Sequence, residues 1–416
     1  MGAATVGPTR HPRWGRISGL GVATIVAYGV AYYSYGALID PIRQATGWSA
    51  TALGATFSAI LVIGGVGGLI GGRLADRFGT RPVFLLAGTL GATGIAVGSI
   101  STGPLAFGAA YGTGAGVVSA LGYYHITQPA AVRAGDGQPQ RAIVVLTVFG
   151  AFASPIFLPL TAWLAHHIGW RDTLRVHALL VAAIFLPCAS WRNSSASIGG
   201  GDLSTPGDAG QVRQILGSAW SKPAVRRWVL ASMISGAAID IILLYQIPIM
   251  VAAGLPTATA ASIAGIRGLA QVGGRFTLPP LLRRIGARLT TVAALAMALT
   301  AVVLLLGSRH VTWAVGYCLL AGASLGAIST LQGIYTHELV GNKDLSMLMG
   351  AQQAVFAVGS ALGPLIAAAL LQQAHSYKPV IALAAVGVLT AALLLATERP
   401  AKVGSSRWGS SQKTTL

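Results

Sequence analysis

Twelve apolar stretches fill most of this chain: Ile17–Leu38, Thr51–Gly71, Val83–Ile100, Leu105–His125, Ala142–Leu164, Thr173–Ala189, Trp228–Ala252, Thr257–Leu278, Leu289–Leu306, Val311–Tyr335, Leu345–Leu371 and Val380–Ala396. About 20 apolar residues cross the hydrocarbon core of a bilayer as a helix. In lipid every backbone polar group must be satisfied inside the structure, so only helices and closed barrels span. Barrel strands are alternating segments of about 10 residues; these runs are continuous and roughly twice as long, so helices are expected. Only 9% of the 416 residues are charged, against about 25% in soluble proteins. The 55 glycines suit close helix packing in lipid.

The net charge of +18 would suggest nucleic acid on a soluble protein. Here it is a matter of sidedness. Of the 28 Lys and Arg residues, 22 fall on one side of the expected spans and 5 on the other, with Arg267 inside a span. That asymmetry places both termini in the cytoplasm of a cell with the chain in its inner membrane, supports an even number of spans, and leaves no role for nucleic acid. Met1–Arg16 is expected to be a retained tail, since the first apolar run outlasts a signal peptide. Cys188 and Cys318 both fall in spans and suggest no disulfide or metal framework.

The two halves echo each other. Gly71-Gly72-Arg73 ends the second span and Gly273-Gly274-Arg275 the eighth. Arg77-Phe78-Gly79-Thr80-Arg81 is matched by Arg284-Ile285-Gly286-Ala287-Arg288. Gly112, Gly116 and Ser119 in the fourth span align with Gly322, Gly326 and Ser329 in the tenth. The expected fold is all-α, with 12 transmembrane helices in two pseudo-symmetric six-helix bundles: an N-terminal bundle over 1–191, a linker over 192–227, a C-terminal bundle over 228–398 and a tail over 399–416. Repeats of this kind build carriers whose binding site lies at mid-membrane between the halves.

The stretch Gly72-Arg73-Leu74-Ala75-Asp76-Arg77-Phe78-Gly79-Thr80-Arg81 between the second and third spans resembles the signature of the major facilitator superfamily. Four further pieces resemble bacterial relatives of monocarboxylate transporters and oxalate/formate antiporters. They are Tyr35-Gly36 with Pro41 and Gly47-Trp48-Ser49; Gly169-Trp170-Arg171; Ala270 to Arg275; and Gly363-Pro364 with Ser376-Tyr377. The resemblance implies the major facilitator fold, a small-molecule substrate, and a carboxylate-binding arginine on the eighth helix at or near Arg267. The chain departs from the monocarboxylate transporters in lacking an acid one turn before that arginine, where Ile263 and Ala264 stand.

Ionisable residues inside spans are functional candidates by default. Arg267 offers a permanently charged planar fork to a carboxylate. Asp240, at similar depth on the seventh helix, is the candidate proton carrier; an ion pair with Arg267 is the structural alternative. His125 and Glu338, beside His337, are further proton-coupling candidates or shapers of the inner gate. Tyr28, Tyr32, Tyr123, Gln246 and Gln332 are candidate substrate contacts, with Tyr35, Tyr111, Tyr245, Gln352 and Gln353 as weaker ones. Tyr28, Tyr32 and Tyr35 have the spacing of one helical face. Gly72, Asp76, Arg77, Gly79, Arg81 and Arg133 are expected to form a conformational latch, Asp76 pairing with an arginine or accepting from a neighbouring helix N-terminus. Pro155 and Pro159 should kink the fifth helix.

The expected function is secondary transport of a small organic anion such as a monocarboxylate, with a proton as coupling partner, by a monomer in contact with lipid. No enzymatic activity, cofactor or metal is expected. The alternatives are an exporter of amphipathic or neutral compounds and, in another class, a membrane enzyme or sensor. The chain carries no His-Glu-x-x-His, no Gly-x-Ser-x-Gly and no phosphate loop.

Overall fold

The computed structural model describes residues 13–135, 137–190, 209–342 and 344–397. Among the described residues, ten helical segments are long and apolar enough to cross a membrane. One of these, Pro139–Ser190, is a pair of antiparallel helices folded at Gly169 (φ 78°, ψ 165°). The helix Thr257–Phe276 is a further span of 20 residues, too polar to stand out by composition because it carries Arg267, Gln271 and Arg275. The described residues therefore hold twelve helices of spanning length, as the apolar runs required.

In order, the first helix covers Trp14–Tyr28, Gly29–Tyr33 and Ser34–Thr46, the second Ala50–Phe78, and the third Thr80–Leu86, Ala87–Gly91 and Ala92–Ser99. The fourth runs from Pro104 through Thr113–Gly122 to Tyr124–Ala134, and the fifth begins with Pro139–Ala151. The fifth continues into Ala153–Ser190, whose stretch beyond Gly169 is the sixth. In the second half they are Pro223–Ala252, Thr257–Phe276, Leu278–Leu304, Val311–Val340, Leu345–Ala374 and Lys378–Ala396. The expected linker contains a helix, Ala209–Trp220, and the seventh helix starts at Pro223, a residue suited to a first helical turn because it lacks an N–H. The glycine-rich part of the linker and the tail 399–416 lie outside the described residues.

Each half buries its own core. One cluster draws on residues from Ile17 to Ala189, among them Tyr35, Phe84, Phe107 and Phe185. The other runs from Trp228 to Leu395, with Val132 and Ile143 of the first half packed into it. The internal repeat is visible in the backbone. Gly79 turns the chain from the second helix to the third at φ 78°, ψ −176°, and Gly286 turns it into the ninth at φ 74°, ψ 171°. That region is essentially closed to residues with a Cβ, which is why both copies of the basic turn hold glycine there.

Several helices are irregular. The fifth breaks at Phe152, where Pro155 can neither donate to the carbonyl of Ala151 nor fit against it; at Pro159, the other expected kink, the helix runs on without a break. The fourth breaks at Tyr123, which is extended (φ −81°, ψ 177°), and then continues to Ala134. Three π turns interrupt the first, third and fourth helices, at Gly29–Tyr33, Ala87–Gly91 and Gly108–Gly112. The first of these changes the phase of the tyrosine series. Tyr28 and Tyr32 stay half-buried, whereas Tyr35 turns into the N-terminal core, 1% exposed, and donates to the carbonyl of Leu53 at 2.7 Å.

Candidate functional site at the seam between the bundles

The bundles meet along the second and eleventh helices and along the fifth with the eighth and tenth. Small residues set how closely. A Cβ at Gly72 would strike the backbone of Ser346, and one at Gly350 the backbone of Gly68. Hydrogen bonds across the seam cluster towards the face that carries most of the arginines, called here the basic face. Gln128 Nε2 donates to the carbonyl of Ser329 at 3.0 Å, and Thr330 Oγ1 to Thr147 Oγ1 at 2.9 Å. Gln140 Nε2 donates to Glu338 Oε1 at 3.3 Å. The seam is closed on the basic face.

Asp76 is the centre of that closure. Its Oδ2 accepts from the backbone N–H of Met347 at 2.7 Å and its Oδ1 from that of Ser346 at 3.3 Å. These are the orphan donors of the first turn of the eleventh helix, where an anion is favoured by the helix dipole. Arg133, from the last turn of the fourth helix, donates to Asp76 Oδ1 at 3.2 Å and to Ser346 Oγ at 3.3 Å. One carboxylate thus ties together three helices from both bundles. Of the arginines expected around it, Arg133 is the partner. Arg77 lies over the ring of Phe78 at 5.0 Å, and Arg81 is exposed. Gly72 permits the approach and Gly79 the turn. In the second copy Arg283 holds the position of Asp76 and donates to the carbonyl of Pro279 at 3.4 Å.

At mid-depth the two in-span charges come close without pairing. Arg267 lies about 15 Å along the eighth helix and Asp240 about 18 Å from the far end of the seventh, at 1.5 Å per residue. The charge of Arg267 acts on Asp240, on Tyr317 and Cys318 of the tenth helix, and on Tyr32 of the first. Tyr32 belongs to the other bundle, so the charge of Arg267 is felt across the seam. No ion pair joins Arg267 to an acid among the described residues. The buried Nε of Arg267 has no partner. Close contact of the tenth helix fixes the arginine's backbone, since a Cβ at Gly322 would meet the carbonyl of Arg267.

Opposite stands a wall of aromatic rings. Tyr28 stacks on Tyr123, with centroids 3.9 Å apart and planes 7° from parallel, and lies 5.0 Å from the ring of Tyr124. Tyr123 is 6% exposed, and its hydroxyl has no hydrogen-bond partner. The other expected contacts are engaged within their own surroundings. Gln246 donates to the carbonyl of Leu243 at 3.0 Å and accepts from Tyr317 at 3.1 Å. Gln332 lines a small cavity inside the C-terminal bundle, with Ser232, Ser235 and Thr291. His125 is within the fourth helix rather than at its end, 3% exposed. Its Nε2 donates at 2.8 Å to the carbonyl of Ala120, which the break at Tyr123 leaves without its helical donor. His337 pairs with Asn342 at 2.7 Å.

Two buried polar networks were not foreseen. In the C-terminal bundle Trp228 Nε1 donates to Thr336 Oγ1 at 2.8 Å, Thr336 to Gln352 Oε1 at 2.9 Å, and Gln352 Nε2 to Ser232 Oγ at 2.8 Å. In the N-terminal bundle Ser34, Thr161 and His177 form a chain with steps of 2.8 and 3.2 Å. Single hydroxyls in apolar runs carry no sequence signal for such pairing.

The model of the Major Facilitator Superfamily matches residues 20–343 and 292–415. The chain belongs to the major facilitator superfamily. It is 26% identical over 333 residues to monocarboxylate transporter 4 of Mus musculus and 25% over 340 residues to that of Gallus gallus, covering 77% of this chain and 69% of each relative. Among solved structures it resembles the transporter FucP in the outward conformation, with TM-score 0.73, 14% identity, and coverage of 91% of this chain and 97% of that one. It also resembles the proton:xylose symporter XylE, with TM-score 0.65, 15% identity, and coverage of 92% and 95%. This member of the superfamily is therefore a multi-pass membrane protein of the transporter fold, related to monocarboxylate transporters.

Proposed function

We propose that this protein moves a small organic anion, monocarboxylate-like, across the cytoplasmic membrane by alternating access, with a proton as coupling ion. The observation that carries the proposal is Arg267: a half-buried arginine at mid-depth, its charge felt by Tyr32 across the seam, with no carboxylate paired to it. A charge held there without a partner is costly, and a substrate carboxylate would neutralise it through the geometry that guanidinium favours. The aromatic wall of Tyr28, Tyr32 and Tyr123 would enclose the apolar part of such a molecule. Asp240 is the proposed proton carrier, because a carboxyl within range of Arg267 gains or loses that cation's field as substrate leaves or arrives. Kinship with monocarboxylate transporters supports the same cargo class. The Asp76 cluster is the proposed latch, released as the two bundles rock and the basic face opens. With the positive charge gathered on that face, the termini are cytoplasmic.

The test is a thermal-shift screen of purified protein against carboxylates, amino acids and cationic drugs, repeated on Arg267→Ala. Carboxylates should stabilise the wild type and lose that effect in the variant, while the variant still reaches the membrane. Wild-type carboxylate uptake by Arg267→Ala would reject the role. Stabilisation by cationic or neutral amphiphiles alone would replace the anion by an exported amphiphile.

A further inference from the structure

Eight residues beyond Arg267 on the same helix, about 12 Å nearer the basic face at 1.5 Å per residue, stands a second arginine that the transport scheme above does not use. Arg275 is 2% exposed. Its Nη1 donates to the carbonyl of Gln271 at 3.1 Å and its Nη2 to Ser329 Oγ at 3.0 Å, while its buried Nε has no partner. No acid pairs with it among the described residues. Tyr124 of the opposite bundle is near enough for its phenol to feel the Arg275 charge. Tyr124 in turn contacts Tyr28 of the aromatic wall.

We infer that Arg275, with Tyr124 and Ser329, is a second anion-binding site, shut in this conformation and opened when the bundles part on the basic face, where it takes the substrate carboxylate after Arg267 releases it. The inference rests on the proposed anion cargo. Three observations carry it. The cation is buried without a counter-charge, which a merely structural residue would avoid, since neutral side chains can brace a helix contact at lower cost. Its neighbours lie on both sides of the seam, Ser329 in its own bundle and Tyr124 in the other. Ser329 is the residue whose carbonyl also receives Gln128 of the first bundle, so parting the bundles removes the lid over Arg275. Finally, it continues the line of Arg267 towards the basic face along one helix, with Gln271 midway. Two cationic stations of moderate strength let an anion leave the first without meeting an apolar stretch, as multi-site conduction requires.

The experiment uses the full chain in membrane vesicles of both orientations. The probe is whichever of formate, acetate, pyruvate or benzoate most stabilises the wild type in the thermal-shift screen; if none does, this inference and the anion cargo fall together. Half-saturation for exchange is measured from each face. Arg275→Gln is expected to raise it about tenfold or more at the basic face, the effect of losing a charge-assisted hydrogen-bond donor, and to leave the opposite face within about twofold of wild type. Arg267→Gln should weaken both faces. If Arg275 only braces the closed gate, Arg275→Gln will leave basic-face half-saturation unchanged or lower it, and the second site is rejected while the first stands. Should Arg275→Gln fail to reach the membrane, Arg275→Lys is read the same way. It keeps the charge without the fork, so a smaller loss confined to the basic face supports the site, and an unchanged value overturns it.

Discussion

Removing the Asp76 carboxylate offers the sharpest test of how the two bundles are held together. In Asp76→Ala three hydrogen bonds disappear: two to the first-turn N–H groups of Ser346 and Met347 and one to Arg133. Loss of a capping acceptor costs about 1 kcal/mol. Loss of negative charge at a partly buried helix N-terminus adds about 1 kcal/mol. The Arg133 side chain is 38% exposed, so solvent screens the ion pair and its share is at most about 1 kcal/mol. Together about 3 kcal/mol is lost, nearly all from the conformation closed on the basic face, which alone contains these contacts. At 1.4 kcal/mol per decade that is a shift of roughly 150-fold in the closed-to-open equilibrium. Gln140 and Glu338 provide the reporter, since they touch across the seam at 3.3 Å. A Gln140→Cys/Glu338→Cys pair, in a background lacking Cys188 and Cys318, should form a cross-link readily with a short bifunctional thiol reagent when Asp76 is intact, since the two side chains meet at their tips. With Asp76→Ala it should form much more slowly, and labelling of either cysteine by an impermeant maleimide from the basic face should rise. Unchanged cross-linking would mean that the glycine packing between the second and eleventh helices closes the seam by itself, and the latch assignment would fail.

Gly72→Leu should open the same seam by a different route, because its side chain would have to displace the Ser346 backbone; faster maleimide labelling with an intact Asp76 is the expected result. Gly79→Ala should destabilise the protein by about 1–3 kcal/mol, the cost of forcing a Cβ into that backbone region, read as a lowered midpoint of unfolding in detergent. Thr336→Val leaves Trp228 Nε1 and Gln352 Oε1 without their partner and should cost about 2 kcal/mol with no change in carboxylate selectivity. Asp240→Asn should remove the pH dependence of carboxylate transport while binding persists. A wild-type pH profile in that variant would acquit Asp240 of proton coupling.

The twelve helices, their pairing into halves and the sidedness of the arginines were legible in the sequence because each depends on a local quantity. These are the length of an apolar run, the recurrence of a glycine turn, and the count of charges in a loop. Asp76 could even be placed near a helix N-terminus, since its loop is short and its neighbours basic. The tertiary structure alone decided which groups each residue meets. Membrane helices that are apolar on every side have no amphipathic stripe to orient them, so their rotation is set by packing. That rotation gave Asp76 to Arg133 and the eleventh helix, consumed Gln246 on Tyr317, and turned Tyr35 inward past a π turn. It committed His125 to a carbonyl freed by a break in its own helix. It also left Arg267 and Arg275 with no acid paired to either among the described residues, which depends on how the two bundles are brought together.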